Sequence, residues 1–145
     1  MADSASTGAS RPTVSESDAA SLLSAAIAEA STMGVPVTIV VVDESGVLKA
    51  MVRQDGAPLV SIETATNKAY AAAAIGMPPD DFYAAIEADG AAVASFATRP
   101  GLALIAGGIP FLVGGQIAGA VGVAGAMTGA EDRRIAEAAV NQIGG

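Results

Sequence analysis

The residues best suited to chemistry are Arg53, Asp55 and Lys68. An arginine fork and a lysine ammonium together suit a carboxylate or phosphate. An aspartate beside them can then move a proton. Arg53 and Asp55 face the same way if their strand stays regular through position 55. Lys68 falls near the middle of the helix that follows. These residues also have a structural reading, in which Asp55 caps the turn and helix while Arg53 and Lys68 make surface ion pairs. The chain has no histidine and no cysteine. That excludes histidine-dependent triads, disulfides, iron–sulfur clusters, thiolate zinc and histidyl metal or haem ligation. Acid–base work is left to Asp, Glu, Lys, Tyr or water, and no metal-ligating set stands out.

A second group lies downstream. Gly107-Gly108-Ile109-Pro110 would let a backbone approach a ligand closely, its N–H groups lining a small anion nest. It would serve equally as a bulge or strand corner. Glu131-Asp132 suits the start of a helix, where carboxylates complement the dipole. Alternatively, Asp132 faces the same pocket as Lys68, within one chain or across a subunit boundary. Glu63 and Tyr70 are secondary candidates, and Asp80-Asp81 reads as a helix cap. Gly119, Gly122 and Gly125 match neither a dinucleotide fingerprint nor a P-loop, and suit close packing of a helix on a sheet.

The elements that must position these residues are legible. Thr13-x-x-Glu16 and Ser15-x-x-Asp18 fit a capping pattern. Ala19, Leu22, Leu23, Ala26, Ile27, Ala30 and Met33 follow at helical spacing, and Gly34 closes the helix. Residues 35–42 (VPVTIVVV) read as a strand buried on both faces. Residues 47–54 alternate and should pair with it as an antiparallel hairpin. A helix over about 59–75 has an alanine stripe at Ala65, Ala69, Ala72 and Ala73, with Ile62. Thr64 and Lys68 lie one turn apart on one side. Gly76 to Pro79 break that helix. A third segment brings Phe82, Ile86 and Val93 inward, with an interruption at Asp89-Gly90.

Residues 101–130 contain no charged side chain. A membrane span would need about twenty apolar residues with an unbroken backbone ladder. Pro110 and the pairs Gly107-Gly108 and Gly114-Gly115 argue against one. The pairs read as hairpin turns between strands at 102–105, 111–113 and 117–123. Thr128 to Glu131 then open a last helix to about residue 143, buried through Ile135, Ala138, Ala139 and Ile143. Strands arranged in hairpins predict an α+β fold, with a five-stranded, largely antiparallel sheet covered by helices. Residues 1–12 read as a disordered tail without signal-peptide character, and residues 13–145 as a single domain. The end, Gly144-Gly145, reads as frayed.

The net charge is −8, and only 15% of residues are charged against 52% hydrophobic. The acidic balance excludes nucleic acid and anionic membrane surfaces as partners. The low charge predicts self-association. With no signal-peptide pattern read at residues 1–12, a cytoplasmic location is the default expectation.

These motifs together resemble the GlcG/HbpS family, which is similar to the C-terminal domain of PduO proteins. The resemblance rests on five features in order: Val42-Asp43-Glu44-Ser45-Gly46; Arg53-Gln54-Asp55-Gly56-Ala57; Lys68-Ala69; Gly107-Gly108-Ile109-Pro110; and residues 115–126 followed by Asp132. It covers about residues 13–143. It implies a layered α+β domain assembled into dimers or higher rings, and haem or corrinoid-type ligands in some members. Haem binding in the family is associated with histidine ligation, and this chain has no histidine. The sequence itself requires no cofactor.

Three functions follow. The first is a small-molecule-binding protein of the GlcG/HbpS type, with Arg53, Gly107, Gly108 and Pro110 as ligand-binding residues. The second is a cofactor-independent isomerase, hydratase or lyase for a small anionic substrate, with Asp55, Lys68 and Asp132 as catalytic residues. The third is a structural interaction module.

Overall fold

The computed structural model describes residues 8–143. The elements run α1 (Glu16–Met33), β1 (Thr38–Asp43), β2 (Leu48–Arg53), α2 (Ser61–Ile75), α3 (Pro79–Ile86), α4 (Gly90–Ala97), β3 (Gly108–Val113), β4 (Gln116–Ala124) and α5 (Gly129–Ile143). Among the described residues the sheet has four strands in the order β2-β1-β4-β3, and every neighbouring pair is antiparallel. The class is therefore α+β with an antiparallel sheet, but with one strand fewer than expected.

The missing strand is at 102–105, where the backbone turns instead. The Leu102 amide donates to the Arg99 carbonyl, and Gly101 sits at φ 77. β4 already has β1 on one side and β3 on the other, so this segment gains no place in the sheet's interior. The two glycine pairs also differ. Gly114 and Gly115, both at positive φ, make the tight β3–β4 hairpin. Gly107 and Gly108 make no hairpin: they lead into β3, with Gly108 opposite Gly122.

The sheet's two faces are packed differently. On one, Ile39, Val41, Ile109, Phe111, Val121 and Val123 join Leu22 and Ala26 of α1 and Ile135 and Ala139 of α5 in an aliphatic core. On the other, Val40, Val42, Ala120 and Ala124 meet Ala65, Ala69, Ala72 and Ala73 of α2. The expected alanine stripe of α2 is thus buried, except that Ile62 is only half-buried. A side chain at Gly122 would run into the Ala65 carbonyl and Ala69 amide, and one at Gly108 into the Lys68 carbonyl. These cross-strand partners let α2 lie backbone against backbone on the sheet.

The helix ends follow local chemistry. The Ser15 hydroxyl accepts from the Asp18 amide at 3.0 Å, and Gly34 closes α1 in the left-handed conformation. At α5, Thr128 Oγ1 accepts from the Glu131 amide at 3.2 Å, while Glu131 Oε1 accepts from the Thr128 amide at 3.1 Å. This is a reciprocal capping box. Of the last helix's expected inward residues, Ile135 and Ala139 are buried and Ala138 and Ile143 half-buried; Ala136 is buried too.

Asp80 and Asp81 do not cap α3, whose N-cap is Pro78 without a side-chain bond. Both instead hold Arg133 of α5, at 2.8 Å each. Those bonds, led by Asp81, raise the Arg133 guanidinium's pKa above its ordinary value against the opposing effect of partial burial. Phe82, Ile86 and Val93 are half-buried.

Of the expected N-terminal tail, residues 1–7 lie outside the described residues. Arg11 donates to the Glu44 carbonyl at 3.4 Å. The expected fraying of Gly144 and Gly145 also falls outside the described residues.

Candidate functional site

Lys68 sits in the middle of α2 on the side facing β4 and α5. Its side chain is only 3% exposed. The ammonium donates to the Val123 carbonyl at 2.9 Å and to Asp132 Oδ2 at 3.0 Å. Asp132, in the first turn of α5, is buried as well, and its Oδ1 accepts from the Ala126 amide at 3.1 Å. Both carboxylate oxygens are therefore bonded, and two of the ammonium's three donors are engaged. An ion pair withdrawn from water this far persists only with such supplementary bonds.

Gly107 completes the arrangement. A Cβ there would lie 2.7 Å from Lys68 Nζ. Its carbonyl accepts from the Val123 amide at 2.9 Å, fixing the strand that supplies the lysine's second acceptor. Glycine is thus needed to give the ammonium room.

The pair borders a cleft of about 500 Å³. Ser61 and Thr64 of α2, Met127 and Thr128 of the β4–α5 loop, and Ile105 and Ala106 supply further walls. The segment at 102–105, expected as a strand, thus contributes Ile105 to a cleft wall. Ser61 is tied down below: its hydroxyl donates to the Pro58 carbonyl and lies 2.8 Å from Thr38 Oγ1.

The structure brings Lys68, Asp132, Gly107 and Gly108 together, with Gly108 against the lysine's own backbone. Pro110 lies further along β3, half-buried opposite Ala120, and does not line the cleft. Arg53 and Asp55 line another cleft, between the end of α1 and the end of β2. Arg53 is exposed at the end of β2 and reaches the Ala57 carbonyl at 3.5 Å. Asp55 is exposed in the turn, and α2 begins without a side-chain cap. The surface ion pair expected of Lys68 in its structural reading is instead a buried one.

Part of this site had a sequence signal. Thr64 precedes Lys68 by one helical turn, and Thr128 begins the capping box that sets Asp132 inward. Ile105, Ala106 and Met127 had none, because an apolar residue outside a periodic element does not reveal which cavity it borders.

Comparison with known proteins agrees with this architecture. The family model described as "Haem degrading protein HbpS-like" matches residues 14–141. An uncharacterized 15.0 kDa protein from the dhaT-dhaS intergenic region of Citrobacter freundii is 31% identical over 131 residues, which is 89% of this chain and 91% of that one. The crystal structure of a double mutant of Streptomyces reticuli HbpS superimposes with a TM-score of 0.87 at 28% identity, covering 100% of this chain and 99% of that one. A PduOC:heme complex superimposes with a TM-score of 0.82 at 26% identity, covering 90% of this chain and 95% of that one.

Proposed function

The chain belongs to the HbpS-like family, and we propose from that premise that it binds a small molecule in the Lys68–Asp132 cleft, the ligand's acceptor or anionic group lying toward the ammonium. One observation carries this reading: a lysine ammonium, buried to 3% side-chain exposure, borders a cleft of about 500 Å³. That volume falls within the roughly 300–1,000 Å³ usual for small-molecule sites. Thr64 and Thr128 add hydroxyls among apolar walls, their protons held by the Val60 carbonyl and Glu131, the mixture of polar and apolar groups such sites use.

The family's description and the heme complex raise the question of haem. The donor set here does not fit haem held through histidine, since the chain has none. Lys68 is committed to Asp132 and Val123, and among the described residues no group of three acidic or other ligating side chains is placed to hold a metal ion.

A second reading rests on the 3.0 Å separation of Lys68 Nζ and Asp132 Oδ2. A lysine and a carboxylate in contact can hold and pass a proton, as a cofactor-independent isomerase, hydratase or lyase requires. Asp132 would be the base and Lys68 the cation stabilising developing negative charge. Arg53 and Asp55, in the other cleft, have no part in this reading.

Self-association also belongs to the proposal. Val47, Leu48, Leu59, Val60 and Met127 are each more than half exposed. A second copy of the chain would cover such residues, and sedimentation velocity would detect it.

A thermal-shift screen of small carboxylates and phosphates tests the binding reading. A ligand at 100 times its Kd stabilises by about 2.7 kcal/mol. The K68M/D132L double variant, which keeps the buried volume without the charges, should lose the shift. A ligand that stabilises both proteins equally binds elsewhere and rules out this cleft. The enzyme reading requires in addition that turnover disappear in the double variant while its fold and assembly remain.

A further inference from the structure

We propose a second ligand site, for a small carboxylate with a compact apolar body, in the cavity enclosed by α2, α4 and the turn after α4. It shares no lining residue with the Lys68 cleft. Tyr70, Ile75, Phe96, Arg99, Pro100 and Leu102 line it, and its volume is about 170 Å³. That is several times the roughly 30 Å³ share of a water molecule and below the roughly 300 Å³ at which drug-sized pockets begin. The occupant is accordingly a molecule of a few carbon atoms.

The polar group that selects it is Arg99. Its guanidinium carbon lies 4.7 Å from the centroid of the Phe96 ring. Phe96 is in turn held edge-to-face by Phe82, with centroids 5.0 Å apart. This stack fixes the guanidinium without using its N–H donors, because the attraction is to the ring's π face. The backbone sets the geometry: the Arg99 amide donates to the Phe96 carbonyl, and the Leu102 amide to the Arg99 carbonyl. The loop therefore folds back so that Phe96, Arg99 and Leu102 border one space.

Arg99 has no carboxylate within ion-pair distance among the described residues, although the chain carries eight more acidic than basic side chains. Among the described residues Lys68, Arg133 and Arg134 are paired with acids, and of the cations that are not, Arg99 is the one stacked on an aromatic ring. A pre-positioned, unpaired guanidinium at the mouth of an apolar cavity suits a carboxylate, which it can grip through two parallel bonds. Tyr70 lies on the opposite element with a phenol able to donate a further bond.

The test uses isobutyrate as probe and isobutyramide as its uncharged counterpart, followed by amide chemical shifts of the full chain. Isobutyrate should give saturable shifts at Tyr70, Ile75, Arg99 and Leu102. Isobutyramide should bind at least about tenfold more weakly, as expected when a charge-assisted bond is lost. Arg99→Gln should weaken isobutyrate at least about tenfold for the same reason. Phe96→Leu, which keeps an apolar wall but removes the stack, should weaken it by a smaller factor. The proposal is overturned if isobutyrate produces no saturable shifts, if Arg99→Gln binds it unchanged, or if the shifts appear at Gly125 to Thr128 instead. The last result would place the carboxylate in the Lys68 cleft and would count in favour of that site alone.

Discussion

The two faces of the sheet solve the same packing problem with opposite materials. Beneath α1 and α5 the contacts are Leu22, Ile39, Val41, Phe111, Val121 and Ile135, large side chains that keep the helices at ordinary distance. Beneath α2 the contacts are alanines on Val40 and Val42, with Gly108 and Gly122 directly under the helix. The first face stabilises by buried apolar area. The second gives up much of that area and gains proximity, which puts a long polar side chain of α2 in reach of the strand carbonyls and of α5. Lys68 meets Val123 and Asp132 because nothing larger than glycine stands at 107, 108 and 122. The Lys68 cleft at the edge of the thinly packed face is what this difference leads to.

The contrast can be broken most severely at the ion pair. Asp132→Leu leaves the Lys68 ammonium buried without its counter-charge and should cost about 3–5 kcal/mol. Adding Lys68→Met should recover most of that loss, since a buried pair replaced by apolar residues is often neutral. Urea denaturation of the parent protein and the two variants measures both values; a double variant as unstable as the single one would show that the charges are required for the fold itself.

On the opposite face, Leu22→Ala should cost about 2–5 kcal/mol through a cavity among aliphatic neighbours. On the thin face the damaging change is an addition. Gly122→Ala places a methyl against the backbone of α2 and should cost near the upper end of the roughly 1–3 kcal/mol seen for overpacking. The informative quantity is the accompanying change at Lys68. Gly122→Ala should weaken ligand binding in its cleft, whereas Leu22→Ala should leave it unaltered at temperatures where both are folded. If both variants affect binding equally, the two faces do not act separately.

Smaller effects are expected where neither face is involved. Ser15→Ala removes the cap of α1 and should cost about 0.5–2 kcal/mol. Arg134→Ala breaks an exposed contact with Glu29 and should cost no more than about 1 kcal/mol. A loss for Arg134→Ala exceeding that of Ser15→Ala would mean that the α1–α5 contact depends on this ion pair more than its exposure implies.

Much of the architecture was legible along the chain. Period 3.6 in residues 19–33, the β-branched run at 35–42 and the alanine stripe of α2 each repeat over enough positions to reveal which side is buried. The 102–105 strand failed because a short apolar run looks the same whether it joins a sheet or walls a cleft. Asp80 and Asp81 carried a local cap signal, yet their partner Arg133 lies more than fifty residues away. Arg53 and Asp55 drew attention as close neighbours in sequence, but the turn after β2 leaves them at a cleft remote in composition from Lys68.

The sequence by itself determined the helices, the caps of α1 and α5, the β1–β2 hairpin and the turn at Gly114-Gly115, the absence of histidyl and thiolate chemistry, and the need for close packing near the glycines. Each is a property of residue type or of spacing within one element. Only the tertiary structure decided which charges meet. Lys68 and Asp132 are separated by 64 positions, and no local pattern ties them together. Their contact exists because glycines in β3 and β4 lower α2 onto the sheet while the capping box at Thr128 turns the first residues of α5 toward it. A desolvated ion pair arises from where elements come to rest, and that is settled by packing.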